Sequence, residues 1–258
     1  VTPEQAVVEL LDREDGKRAG PPLTATWPDL DVATAYEIQK LSLDRRLRAG
    51  QRITGIKLGL TSEAKQRSMG VDTPLTGWLT DTMLLSAGAP LPLDRFIHPR
   101  AEPEIVLIMG SRLAGPGVTA KSALAAVAEV RAGIEIIDSR YTDFRFTLAD
   151  VIADNASSAG YYLGATAVAP AEIDIVVETG RLDIDNRTVG TASGAAILGN
   201  PAEALALAAN ALAEHGSSIE AGWAVLTGGL VDAAQLDAGM RLIAAFTRLG
   251  VIDVTVGS

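Results

Sequence analysis

The strongest constraint on this chain is a pair of glutamates at alternate positions inside an otherwise apolar run. Glu102 and Glu104 stand in Ala101-Glu102-Pro103-Glu104-Ile105-Val106-Leu107-Ile108-Met109, which stops at Gly110. A short, β-branched run ended by glycine reads as a buried strand. Side chains alternate faces along a strand, so both carboxylates point to the same side. Glu135 lies in a similar Ile-rich segment, Gly133-Ile134-Glu135-Ile136-Ile137-Asp138-Ser139-Arg140. Ionised carboxylates in such surroundings are costly unless they are paired or bind a cation. Three of them suit a hard, oxygen-seeking divalent ion, Mg²⁺ or Mn²⁺. The competing reading places each glutamate at a strand end, reaching water or an arginine such as Arg100.

Composition narrows the functional classes. Of the 258 residues 48% are apolar, ample for a core. A net charge of −10 opposes binding to a nucleic-acid backbone or an anionic membrane, so neither is expected as a partner. A small anionic substrate fits only where a bound cation supplies local positive charge. The absence of cysteine excludes disulfides, thiolate metal sites and cysteine nucleophiles. No leading segment resembles a signal peptide and no uninterrupted apolar run spans a bilayer, so a cytoplasmic location is expected. Neither of the two histidines, His98 and His215, lies in a nucleophile-elbow context.

In chain order, Thr2-Pro3-Glu4-Gln5 predicts a capped helix with an apolar stripe at Val7, Val8, Leu10 and Leu11. Asp31 caps a second helix through Tyr36, Ile38 and Leu47, ended by Gly50. Arg45, Arg46 and Arg48 read as its solvated face. These helices predict a small N-terminal extension over 1–50, followed by a β-rich catalytic domain over 51–258. Ile53–Leu60 reads as a strand carrying Lys57 between glycines, where a ligand or backbone approaches closely. A lysine buried there pairs with a carboxylate or serves chemistry, or it snorkels to water at the strand end. Met69–Asp81 reads as an ordered loop of the lid type, with Asp81 either catalytic or a cap. Thr119 caps a helix expected to reach about Val130. Asp154, Asn155, Ser157 and Ser158 either turn the chain or face a ligand. Further strands are expected at Tyr161–Gly164, Ile173–Glu178, Trp223–Leu226, Met240–Phe246 and Val251–Val256. A turn is expected at Asp185-Asn186, and a helix from Asn200 and Pro201 to about Glu214.

Five motifs in order carry a resemblance to a known family: Gly55-Ile-Lys57-Leu-Gly59-Leu60-Thr61-Ser62, Met69-Gly-Val-Asp-Thr-Pro74, Glu102-Pro-Glu104, Glu135-Ile-Ile-Asp-Ser-Arg140 and Ala153-Asp-Asn-Ala-Ser157. Together they resemble the fumarylacetoacetate hydrolase superfamily, in its 4-oxalocrotonate decarboxylase and 2-keto-4-pentenoate hydratase branch, over nearly the whole chain. Ser139-Arg140-Tyr141-Thr142-Asp143-Phe144-Arg145-Phe146 looks like the decarboxylase form. Hydratases more often carry an aliphatic residue after the arginine and a tryptophan after the aspartate. Asn200 departs from the histidine that often precedes the proline there. An acylpyruvate hydrolase is disfavoured, because its lid Glu-His dyad has no counterpart in the N-terminal half.

The resemblance implies an α/β fold of the α+β type, a mixed rolled β-sheet with a small N-terminal helical extension. It implies Mg²⁺ or Mn²⁺ on Glu102, Glu104 and Glu135, with no organic cofactor. Lys57, Asp81 and Ser157 are then the expected catalytic residues, and Arg140, Tyr141, Phe144, Leu58, Gly59 and Thr227 the substrate contacts, with Arg140 equally suited to pair with a Glu or Asp. Tyr141, Phe144 and Phe146 are expected to form an apolar wall, or else ordinary core. If Lys57 moves protons, its pKa is expected to be lowered by burial and by the metal. The implied reaction is decarboxylation of 4-oxalocrotonate (2-oxo-3-hexenedioate) to 2-hydroxypenta-2,4-dienoate. The alternatives are hydration of that dienol or service as a weakly active subunit of a hydratase. A small 2-oxo acid, a homologous hydratase or decarboxylase, and further copies of the chain are the expected partners.

Overall fold

The computed structural model describes residues 1–71 and 73–257, with the side chains of Glu63, Lys65 and Ser68 outside the description; Asp72, in the expected lid loop, therefore lies outside it too. The chain begins with α1 (Pro3–Asp15) and α2 (Val32–Arg48). Thr2 and Gln5 form the expected capping box, and the Asp31 carboxylate accepts from Thr34 N at 2.8 Å. Gly50, at φ +93°, takes the left-handed conformation that lets the chain leave α2. The buried stripe of α1 is Ala6, Val7 and Leu10, while Val8 faces water. Arg46 is only partly solvated, because it crosses to Glu14 of α1 at 2.5 Å. Buried Gln39 of α2 donates to Thr76 O at 2.9 Å and Ile152 O at 3.1 Å, so the helical layer is bonded to the β-rich part.

A seven-stranded sheet follows, in the order β2-β1-β8-β3-β4-β5 with a short β9 beside β3. Its strands are β1 (Ile53–Gly59), β2 (Leu75–Thr80), β3 (Arg100–Met109), β4 (Val127–Ile137), β5 (Ser158–Val168), β8 (Ala224–Leu226) and β9 (Ala234–Gln235). Only β1 and β8 run parallel; the other pairs are antiparallel. A second antiparallel sheet has the order β11-β10-β6-β7, from β6 (Thr179–Ile184), β7 (Arg187–Ser193), β10 (Arg241–Phe246) and β11 (Gly250–Thr255). Asp185 and Asn186, both at positive φ, make the expected two-residue turn between β6 and β7. Ile105, Leu107, Ile134 and Ile136 of the large sheet join Leu182, Leu242 and Val254 of the small one in the main core. Leu85 N donates to Tyr161 O at 2.8 Å, drawing the chain after β2 onto β5, so the two edges of the large sheet curl toward each other.

Helix α6 (Pro201–Glu214) has the expected bounds and sends Leu205, Ala208 and Leu212 into the main core. The stretch Gly194–Glu214 passes the length and hydropathy test for a membrane span, but half of it is buried within the protein, as a core helix is. The remaining helices are α3 (Glu63–Met69), α4 (Ala120–Ala125) and α5 (Leu148–Ala153).

Three expectations are corrected. Leu75–Thr80, within the expected loop, is strand β2, its backbone paired to β1 from Thr80 to Leu75. The helix after Thr119 stops at Ala125, where Val127, Val130 and Ala132 begin to bury one face at strand rather than helix geometry. Ile173–Glu178 is not a strand: the Asp174 carboxylate accepts from Val176 N at 3.0 Å, and Asp174 O accepts from Glu178 N at 3.0 Å, a polar turn that leaves Ile173 and Ile175 as anchors.

Candidate metal centre and active site

Strand pairing assembles the carboxylates. Glu102 faces Glu135 across β3 and β4, and Glu104 lies two residues further along the same face, opposite Gly133. One oxygen from each of the three lies within 4.8 Å of the others. Glu104 and Glu135 are fully buried and Glu102 nearly so. Glu104 Oε2 accepts from Gly228 N at 2.7 Å, whereas Glu104 Oε1 and both Glu135 oxygens lack a hydrogen bond of acceptable geometry. Burial, then the neighbouring Glu135 and Glu102, hold Glu104 well above the usual carboxylate range. Burial also raises Glu135, against the pull of Lys57. Three buried carboxylates, two of them with orphaned oxygens, are the donor set a hard dication fits. Arg100 does not neutralise them: its guanidinium lies over the Phe144 ring, 4.1 Å from the centroid.

Lys57 is buried in β1, its Nζ 3.2 Å from Glu135 Oε2 and 3.0 Å from Ala156 O, to which it donates. The strand packs tightly here, since a Cβ on Gly55 would meet Ala224 O at 2.0 Å. Burial works to lower the Lys57 pKa, but Glu135, Glu102 and Glu104 outweigh it and hold the pKa above the ordinary lysine value. In the metal-free protein the expected lowering is thus reversed, because three carboxylates surround one amine.

Ser157 ends a turn in which Asn155, Ala156 and Ser157 all have positive φ, at 51°, 52° and 58°. The left-handed region costs roughly 1–2 kcal/mol for each residue bearing a side chain, so the surroundings must impose it. Asp154 is one anchor: it accepts from Arg140 N at 3.1 Å and forms a buried ion pair with the Arg140 guanidinium. Ser157 Oγ is buried without a partner.

Lys57, Glu102, Ala156 and Ser157 line a cavity of about 170 Å³, beside Leu58 and Gly59. Leu75, Val151, Phe144 and Phe146 supply apolar wall to the same cavity. A larger groove of about 600 Å³ runs along α1 among surface charges and contains none of the three glutamates.

Six of the expected site residues are absent from this lining: Glu104 and Glu135, which lie behind it in the cluster with Glu102, and Asp81, Arg140, Tyr141 and Thr227. Asp81 follows β2 and accepts from Arg52 N at 3.0 Å and Arg52 Nε at 3.2 Å. Lys57 pairs with Gly77, four residues before Asp81, which separates them by roughly 13 Å along the strand. Arg140 directs Nε at the Asp154 carboxylate and Nη2 at the Asp154 carbonyl, the latter at 2.6 Å, in a buried ion pair. Asp154, then Glu14 and Asp138, overcome burial and push its pKa further up. Tyr141 is fully buried in the N-terminal helical core, its hydroxyl donating to Asp150 O at 3.1 Å, and so is not part of the apolar wall. Thr227 Oγ1 donates to Ile105 O at 2.7 Å, which fixes the strand end from which Gly228 reaches Glu104. Sequence reasoning missed the Ala156 carbonyl and the Leu75 and Val151 walls. The Gly222–Gly229 turn, whose glycines in the sequence suit close backbone approach to a ligand, brings Gly228 N to Glu104, and a Cβ on Gly229 would lie 2.7 Å from Glu102 Oε1.

No family model matches the chain. It is 42% identical over 233 residues to a 4-oxalocrotonate decarboxylase of Pseudomonas sp, covering 90% of each chain. It is 41% identical over 196 residues to a 2-hydroxypent-2,4-dienoate hydratase of Pseudomonas putida, covering 76% of this chain and 88% of the hydratase. Among solved structures, the 4-oxalocrotonate decarboxylase from Pseudomonas putida G7, complexed with magnesium and adipate, superposes with a TM-score of 0.93 at 33% identity over 99% of this chain and 98% of that one. A fumarylacetoacetate hydrolase from Exiguobacterium antarcticum shares the fold, with a TM-score of 0.62 at 14% identity over 81% of this chain and 76% of that one. The chain is therefore a member of the 4-oxalocrotonate decarboxylase and 2-keto-4-pentenoate hydratase family.

Proposed function

We propose that this protein releases CO₂ from 4-oxalocrotonate (2-oxo-3-hexenedioate), giving 2-hydroxypenta-2,4-dienoate. The observation that carries the reading is the mixed lining of one cavity: Lys57 and Glu102, a member of the three-carboxylate cluster, together with the apolar walls Leu75, Val151, Phe144 and Phe146. Glu102, Glu104 and Glu135 would hold Mg²⁺ or Mn²⁺. Bound there, the ion supplies Lewis-acid stabilisation of negative charge on the 2-oxo acid. No organic cofactor is required, because the conjugated ketone is itself the electron sink.

The apolar walls would receive the distal carboxylate. Stripping water from a carboxylate raises its energy relative to neutral CO₂, which favours cleavage of the bond that joins them. The electron pair of that bond then moves through the double bond to the 2-oxygen. Lys57, with Nζ held between Glu135 and the Ala156 carbonyl, stands where it can give that oxygen a proton and complete the dienol. Ser157 Oγ, also on the cavity wall, would orient the substrate through its free hydrogen-bonding capacity.

Hydration of 2-hydroxypenta-2,4-dienoate is the second reading, favoured by that same hydroxyl, which could hold a water instead. Residues 1–50 serve in this proposal as the back wall of a catalytic unit spanning 51–258: Leu75 and Val151 belong both to the cavity and to the helical core. A small anionic 2-oxo acid as substrate, assembly with further copies or with a homologous hydratase, and a cytoplasmic location complete the reading.

The test is CO₂ release from 2-oxo-3-hexenedioate by the Mg²⁺-loaded protein, against a chelator control. Release that depends on the ion is expected. Absence of release together with water addition to the dienol would establish the hydratase instead. Inactivity in both assays alone, with activity restored by a homologous partner, would make it a supporting subunit.

A further inference from the structure

Strand β2 is an edge of the large sheet, and the outward groups of Trp78 have no neighbouring strand to pair with. The side chain of Asn155 fills that place: Asn155 Oδ1 accepts from Trp78 N at 2.7 Å, and Asn155 Nδ2 donates to Trp78 O at 3.0 Å. A single amide thus imitates one rung of a sheet ladder. The adjoining backbone is equally committed. A Cβ on Gly77 would lie 2.6 Å from Asn155 O and 3.1 Å from Lys57 Cγ, so Asn155, Gly77 and Lys57 are stacked without slack.

The next two residues face the site. Ala156 offers its carbonyl to Lys57 Nζ, and Ser157 lines the cavity with an unpartnered hydroxyl. Both have positive φ, a conformation Ala and Ser do not hold unaided. The upstream clamp, Arg140 with Asp154, fixes where the turn begins but does not tie it to β1 and β2. Among the described residues, Asn155 makes the side-chain bonds that join the turn to β2, the strand paired with the one that carries Lys57.

We infer that Asn155 is a positioning residue: its amide pins the left-handed turn to the edge of β2, and so sets the Ala156 carbonyl and the Ser157 hydroxyl against Lys57. The inference rests on the reading of Lys57 and Ser157 as the proton-handling side of the site.

Asn155→Gly removes both bonds while keeping free access to positive φ. In the Mg²⁺-loaded protein, kcat for CO₂ release should fall about 10- to 100-fold, the loss expected of misplaced groups, with KM within about threefold. Asn155→Asp keeps the acceptor for Trp78 N but sets an oxygen against Trp78 O. Its kcat should lie between the two, and it serves as the test if the glycine variant does not fold. A second assay separates this inference from the decarboxylase reading: hydrogen–deuterium exchange at carbon 3 of 2-oxopentanoate requires proton transfer but no loss of CO₂. Exchange by the wild type that either variant loses supports the positioning role even where CO₂ release is absent. Variants that keep wild-type kcat or exchange within threefold, or that raise KM alone, overturn it. A wild type inactive in both assays overturns it as well.

Discussion

Replacing Glu104 with glutamine should move stability in opposite directions with and without metal. Glu104 is fully buried, with one oxygen within 4.8 Å of an oxygen of each of Glu102 and Glu135. Like charges at that spacing repel by roughly 3.5 kcal/mol per pair at an effective dielectric constant of about 20. Glu104 escapes part of this by taking up a proton, since its pKa is raised, so the neutral amide should gain only on the order of 1–2 kcal/mol near neutral pH. The amide oxygen can still accept from Gly228 N, and its NH₂ can donate to Glu135, so the geometry survives. In chelator the variant should therefore melt about 2–8 °C above the wild type. With Mg²⁺ at about 100 times the wild-type Kd, the wild type gains roughly 2.7 kcal/mol, but a variant about 100-fold weaker in affinity gains only about 0.4 kcal/mol. Differential scanning fluorimetry at several pH values, with Mg²⁺ or chelator, reads both effects. The pH slope gives a further check. Folded Glu104 and Glu135 hold protons above the ordinary value of 4.5, so the metal-free wild type should lose stability as pH rises above it through the raised pKa values. The variant should lose less. A variant that is less stable in chelator yet retains the full Mg²⁺ shift would refute the reasoning.

Lys57→Met should lower turnover about 100-fold or more and leave Glu135 without its cation, costing the metal-free protein up to about 3 kcal/mol in urea denaturation; a near-normal rate would make the lysine structural. Gln39→Ala strips donors from two backbone carbonyls, Thr76 O and Ile152 O, and should cost about 2 kcal/mol, with unchanged stability counting against the helical layer as a bonded part of the fold. Asp81→Asn should leave kcat within about twofold, because exposed ion pairs such as that with Arg52 contribute little; a large loss would return Asp81 to the site.

What the sequence disclosed followed from local rules. Thr2 with Gln5, Asp31 with Thr34, and Asn200 before Pro201 announce helix starts through capping alone. The alternation of Glu102 and Glu104 in a buried strand needs only the two-residue period of β structure to put both on one face. What stayed hidden is set by distant partners. Leu75–Thr80 follows Pro74 and contains Gly77, both signals of a loop, yet pairing with β1 makes it a strand whose Gly77 yields space to Lys57. The 155–157 turn has no glycine to betray positive φ, and Arg140 gives no sign that Asp154, fourteen residues on, takes its charge. Asp81, bonded to Arg52, and Tyr141, in the helical core, owe their positions to partners that no motif displays.

The facing of Glu102 and Glu135 across one ladder also bears on how the chain reaches its native state. Moving β4 by a single residue against β3 would swing Glu135 to the face that now holds Ile134 and Ile136, inside the core between the sheets. It would also dismantle the cage. A dication held by these carboxylates during folding would therefore reward only the correct alignment, and would proofread strand pairing.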